Sequence, residues 1–101
     1  MSIEVTDAPD RSRYEAHEGD VLLGFAEYTR DGGRITFTHT VVEDVAKGRG
    51  VASAIARSSL DEARAAGLRV RPLCPFYARW IENHPDYADL VDPEDRPAWP
   101  L

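Results

Sequence analysis

Apolar and polar positions fall with a period of two through the first part of the chain and with a helical period after residue 51. Arg13-Tyr-Glu-Ala-His-Glu18 alternates weakly, and Val21 to Thr29 and Arg34 to Val42 read as two further strands. Gly19-Asp20 supplies a turn between the first two, and Asp31-Gly32-Gly33 is a hairpin signal between the second and third, so an antiparallel meander is predicted. Strict alternation in the third strand puts Ile35, Phe37, His39 and Val41 on one face, and Thr36, Thr38, Thr40 and Val42 on the other. Ser2 to Asp10 is polar and unpatterned, which fits a lead-in strand or a frayed end.

The second part reads differently. Ala52, Ile55, Ser59, Ala63 and Ala66 recur at helical spacing and Gly67 closes the helix, with small residues that allow close packing on a sheet. Leu68 to Cys74 is a short strand whose pairing Pro72 interrupts near its end. Pro75 suits the first turn of a second helix, Phe76 to Asn83, which stops at His84-Pro85. The tail from Asp92 to Leu101 holds too much proline for a regular element, and its Trp99 is a candidate for docking on the body or on another subunit. The order β-β-β-α-β-α predicts a mixed α/β (α+β) fold with two main helices on a mostly antiparallel sheet. The crossover between Val42 and Leu68 is expected to be parallel and right-handed.

Composition narrows the functional classes. A chain of 101 residues has room for one core, so residues 1–101 are expected to form a single domain. The net charge of −6, with no long basic stripe, argues against nucleic-acid binding. No segment reaches the length of a membrane span and the N-terminus lacks an apolar signal core, so neither membrane insertion nor secretion is expected. One cysteine allows no internal disulfide and fits a reducing, cytoplasmic setting. The three histidines and the cysteine show no metal-ligand spacing.

The stretch with the most chemical content is Ala46-Lys-Gly-Arg-Gly-Val-Ala-Ser53, between the third strand and the first helix. A glycine-rich loop there leaves backbone N–H groups of the helix start free, and the helix dipole adds positive potential, so the site favours anions and phosphate above all. Gly48 and Gly50 permit a sharp turn and close approach. Lys47, the only lysine, and Arg49 add charge, Arg49 with a fork that matches phosphate oxygens. An ordinary tight strand-to-helix connection with surface cations is the other reading of the same residues.

Lys47-x-x-Gly50-x-Ala52 resembles the Arg/Gln-x-x-Gly-x-Gly/Ala signature of the GNAT superfamily of acetyl-CoA-dependent N-acetyltransferases, with Lys at a position usually Arg or Gln. His39-Thr-Val-Val, Gly48-Arg-Gly-Val-Ala-Ser, Ala66-Gly-Leu, Pro72-Leu-Cys-Pro-Phe76 and Asn83-His-Pro-Asp-Tyr87, followed by Asp89-Leu-Val91, resemble in order the pieces of a short, stand-alone branch. Together they span roughly half the chain. The resemblance implies acetyl-CoA as cosubstrate, with Thr40, Val41 and Val42 beside the pantetheine arm. It implies Lys47, Gly48, Arg49, Gly50, Val51, Ala52 and Ser53 around the pyrophosphate. The strand before the loop is expected to splay from the next, exposing backbone groups to that peptide-like arm.

Three side chains are candidates for catalysis. Cys74 precedes Pro75 at a helix start, where free N–H groups favour a thiolate that could carry the acetyl group; a small buried hydrophobe is the other reading. The resemblance adds weight to the first, since the branch has a cysteine in the same context. Tyr77 falls where many GNAT enzymes place a tyrosine that protonates the leaving thiolate, and its alternative is a core ring with its hydroxyl at the rim. His39 is either a base for the acceptor amine or a hydrogen-bonded core residue. His84 reads as a helix cap, and Glu43, Asp44 and Glu82 as acidic surface or as attraction for a cationic amine.

These readings make an N-acetyltransferase acting on an exposed amine of a protein or small molecule the leading function, with an open acceptor site in so short a chain. A CoA- or acyl-CoA-binding module without turnover is the rival. An interaction domain that binds no CoA is the third.

Overall fold

The computed structural model describes residues 3–96; Trp99 and the end of the tail lie outside the described residues. Five strands form one sheet in sequence order: β1 (Glu4–Ala8), β2 (Arg13–Glu18), β3 (Val21–Asp31), β4 (Arg34–Val42) and β5 (Arg69–Pro72). The first four pair antiparallel, and β5 joins β4 parallel through the crossover helix α1 (Val51–Ala65). The second helix, α2 (Pro75–Asn83), starts at a proline as expected. The mixed architecture and the meander agree with the hydrophobic pattern. The unpatterned N-terminal stretch is β1, whose partner is β2.

Helix α1 buries Val51, Ile55, Ala56, Ser59, Leu60 and Ala63. Ala66, which the helical spacing placed on the same face, is exposed just past the helix end. The core is aromatic at its centre. Phe37 is fully buried, stacks on Tyr77 with centroids 4.1 Å apart, and meets Tyr14 and Tyr28 at 6.3 Å each. Such pairs add to area burial because ring edges and faces carry opposite partial charge.

Gly24 in β3 lies tight against the backbone of β4. A Cβ there would stand 2.6 Å from the Val41 carbonyl oxygen and 3.3 Å from Val51 Cγ1. A glycine at this position therefore lets β3 pair closely with β4, with the first residue of α1 packed over the pair.

The alternation along β4 breaks at a β-bulge. Glu27 lies opposite His39 and Tyr28 opposite Phe37, so Thr38 is the extra residue. Beyond it the faces exchange. Thr40 lies opposite buried Ala26, and Val42 packs against the core, so these two take over the face of Ile35 and Phe37. His39 is exposed. This corrects the strict alternation, which put His39 and Val41 on the core face; one inserted residue reverses every side chain after it.

The C-terminal segment closes against the sheet by charge. Asp92, Glu94 and Asp95 cluster within 4.8 Å, and Arg34, Arg69 and Arg71 face them, with Arg69 Nε donating to Asp92 at 2.9 Å. Three guanidiniums on three carboxylates make this a clamp on the β4–β5 edge. Among the described residues no helix is long and apolar enough to cross a membrane.

Candidate functional site

The loop between β4 and α1 is held at both ends. The Glu43 N–H donates to the Leu23 carbonyl at 2.8 Å, and the short turn Asp44–Ala46 buries Ala46 completely. Gly50 then caps α1 with φ +76°, a left-handed conformation that an L side chain adopts only under strain. The first helical bond runs from the Ala54 N–H to the Gly50 carbonyl at 3.0 Å. The N–H groups of Val51, Ala52 and Ser53 precede it, and no side chain among the described residues caps them. Among the described residues, a Cβ built on Gly48 or Gly50 meets nothing within 4 Å, so the loop is open at both glycines.

The two cations of the loop are not free. Arg49 makes a two-pronged pair with Glu18 at the end of β2, Nη1 to Oε1 at 3.1 Å and Nη2 to Oε2 at 2.6 Å. Its guanidinium holds the Glu18 carboxyl below the usual carboxylate range. Lys47 Nζ lies 3.0 Å from Asp44 Oδ1. The fork that matches phosphate is thus engaged by a carboxylate from thirty-one positions earlier, a partnership that no local motif could signal.

Beside the loop, the sheet opens. β4 and β5 pair only from Arg34–Phe37 against Arg69–Pro72. A last bond follows, from the Cys74 N–H to the Phe37 carbonyl at 2.9 Å. From Thr38 to Val42 the side of β4 turned away from β3 meets no strand among the described residues. In an antiparallel pair alternate residues turn their N–H and C=O groups outward, so this stretch offers a free hydrogen-bonding edge. The splay expected from the family resemblance is present, beside Thr40, Val41 and Val42.

Cys74 sits at the root of the fork, 4% exposed, as the residue before α2. Its Sγ lies 3.3 Å from Thr40 Oγ1, a contact that exists because the bulge turns Thr40 inward. Tyr77, one turn into α2, is fully buried; its hydroxyl is 2.8 Å from Ser59 Oγ, which in turn donates to the Ala56 carbonyl. Burial pushes the Tyr77 phenol well above its ordinary value. His39 is exposed after the bulge, off the face that carries Thr40 and Cys74. So the fold brings Cys74 and Thr40 together and does not bring His39 to them.

The Tyr77 geometry carries a prediction. Tyr77→Phe leaves Ser59 its bond to Ala56, so only one buried hydrogen bond is lost, worth about 1 kcal/mol. Thermal unfolding is expected to fall by about 4–8 °C. In the acetyl transfer that the resemblance implies, the rate is expected to stay within about twofold, whereas removal of a general acid slows a reaction about 100-fold or more. A 100-fold loss at retained stability would assign the proton to Tyr77.

The segment after α2 is structural in its contacts. His84 Nδ1 donates to the Trp80 carbonyl at 2.7 Å while its ring stacks on Trp80 at 3.8 Å, and Tyr87 donates to Asp61 at 2.8 Å. The cap read at His84 is thus seen. Of the acidic candidates, Asp44 is taken by Lys47, and Glu43 and Glu82 are exposed.

Comparison with known proteins agrees with this fold. The solution structure of a GCN5-like protein from Staphylococcus aureus superposes with a TM-score of 0.68 at 22% identity, covering 88% of this chain and 87% of that one, and so shares the fold. No curated protein matches the sequence. Residues 13–90 match the family model described as GCN5-related N-acetyl-transferase, a span that runs from β2 through the open fork to the segment after α2. The chain belongs to the GCN5-related N-acetyltransferase family.

Proposed function

We propose that this protein is an acetyl-CoA-dependent N-acetyltransferase that delivers an acetyl group to an exposed amine of a protein or small molecule. The observation that carries the reading is the adjacency of two features: uncapped helix-start donors at Gly50–Ser53 and the free edge of β4 at Thr38–Val42. A diphosphate fits the first, and a pantetheine arm, with its two amides, fits the second. Thr40, Val41 and Val42 serve the arm. The loop from Lys47 to Ser53 serves the diphosphate, mainly through backbone.

The thioester then lies toward the root of the fork, where Cys74 is the nucleophile nearest to hand. In the two-step route the Cys74 Sγ–C bond forms as the CoA S–C bond breaks, and the thiol proton passes to the departing CoA sulfur. The amine then attacks the acetyl-cysteine, losing its proton as the thiol is regenerated. The hydroxyl of Thr40, 3.3 Å away, orients the sulfur. In a direct transfer the amine attacks CoA's own thioester and Cys74 only lines the slot.

One observation favours the binding-module reading. Cys74 is 4% exposed, Tyr77 is fully buried, and His39 is exposed off their face, so three candidate groups do not converge on one point. Intact-mass spectrometry with acetyl-CoA, beside calorimetric titration with CoA, separates these routes. Binding with a gain of one acetyl group, lost in Cys74→Ser, is the expected result. Binding with no such gain, but with an acetylated amine, supports direct transfer. Binding with neither leaves a module without turnover, and no binding removes every CoA-dependent reading.

A further inference from the structure

We infer that Glu18 is a tethered competitor for the diphosphate site: it holds the Arg49 fork in the free protein and so determines which anions the loop accepts. This rests on the proposed CoA reading of the loop. The grip is specific in geometry, with both guanidinium Nη atoms on both carboxylate oxygens at 3.1 and 2.6 Å. It is also of a kind that can be released. Arg49 is 38% and Glu18 19% exposed, and ion pairs in contact with water are weak and screened by salt. Gly48 and Gly50 flank Arg49, both at positive φ, so the backbone on either side of it is of the kind that turns most freely.

The consequence is discrimination. With Lys47 on Asp44 and Arg49 on Glu18, the side chains of the loop present no uncompensated positive charge to an incoming anion. A carboxylate fixed to the same fold competes at an effective concentration on the order of millimolar. A single small anion such as inorganic phosphate, offered below that level, gains either the backbone donors or the fork, and does not hold both. A diphosphate can occupy the N–H groups at the start of α1 and then draw Arg49 across, because its second phosphate stays beside the loop. Glu18 thereby makes occupancy depend on a polyphosphate and keeps common small anions off a strongly anion-attracting helix start.

The test is calorimetric titration of CoA and, separately, of inorganic phosphate into four proteins: wild type, Glu18→Gln, Arg49→Gln and the double variant. Asp20→Asn serves as a control, since Asp20 is exposed on the adjacent turn and makes no ion pair among the described residues. Glu18→Gln is expected to bind CoA about two- to fivefold more tightly at low salt, the range of an exposed ion pair, with the gain shrinking as salt rises. Phosphate binding is expected to strengthen by at least the same factor, narrowing the preference for CoA. The gain is expected to vanish when Arg49→Gln is already present, and Asp20→Asn is expected to reproduce little of it. Unchanged or weaker CoA binding in Glu18→Gln overturns the inference, as does a gain that survives Arg49→Gln or that Asp20→Asn matches. Failure of every protein, wild type included, to bind CoA overturns the underlying reading instead.

Discussion

Gly50→Glu is expected to abolish CoA binding in a protein that still folds. At φ +76° a side chain carries about 1–2 kcal/mol of backbone strain, and a carboxylate at the start of α1 returns about 0.3–1 kcal/mol through the helix dipole. The net loss is about 1 kcal/mol, or roughly 4–8 °C in thermal midpoint. Nothing among the described residues stands within 4 Å of the new Cβ, so no clash from them adds to this. The effect on binding is of another size. The glutamate reaches the N–H groups of Ala52 and Ser53 that the diphosphate needs, and it repels the phosphates. Two hydrogen bonds to a charged group, at about 1.5–3 kcal/mol each, amount to a loss of at least 100-fold in affinity. Gly50→Ala, with the same strain and no charge, is expected to retain most of the binding. If calorimetry finds Gly50→Glu binding CoA as tightly as wild type, the loop is not the diphosphate site and the interaction-domain reading gains.

The contrast between what the chain disclosed and what it hid follows from the range over which each feature is determined. The meander, the crossover and both helices rest on local periods and turn residues, such as Asp31-Gly32-Gly33 and Pro75, and these agree with the fold. The glycine loop was legible for the same reason. The bulge at Thr38 was not, because Thr36-Phe-Thr-His-Thr40 alternates without glycine or proline to mark an extra residue. What sets the bulge is how β3 and β4 pair, and strict alternation therefore misplaced His39 and hid the contact between Thr40 and Cys74. The pairing of Arg49 with Glu18 and of Tyr77 with Ser59 are likewise products of the folded topology, with partners 31 and 18 positions apart. Local pattern marked the glycine loop; tertiary pairing decided which side chains lie beside it.

Phe37→Ala is expected to be strongly destabilising, and its consequences reach the fork. The ring is fully buried and lies at the meeting point of Tyr14, Tyr28 and Tyr77. Its removal leaves a cavity walled by three tyrosines whose hydroxyls are already committed to Glu62, Asp7 and Ser59, so the walls cannot collapse freely. Large-to-small changes at such sites lose about 3–5 kcal/mol, a large part of the 5–15 kcal/mol that a domain commonly holds. A fall in thermal midpoint of about 12 °C or more is expected. Phe37 is also the last residue of β4 paired with β5, and its carbonyl receives the Cys74 N–H. Loosening the ring therefore loosens the root of the fork. Phe37→Leu, which keeps most of the volume, is the variant in which to see this below the unfolding range. Cys74, 4% exposed, is expected to react slowly with a thiol reagent in the wild type and several-fold faster in Phe37→Leu, with circular dichroism unchanged. Equal labelling rates, together with a loss below about 1 kcal/mol in Phe37→Ala, would mean that the aromatic stack does not hold the fork.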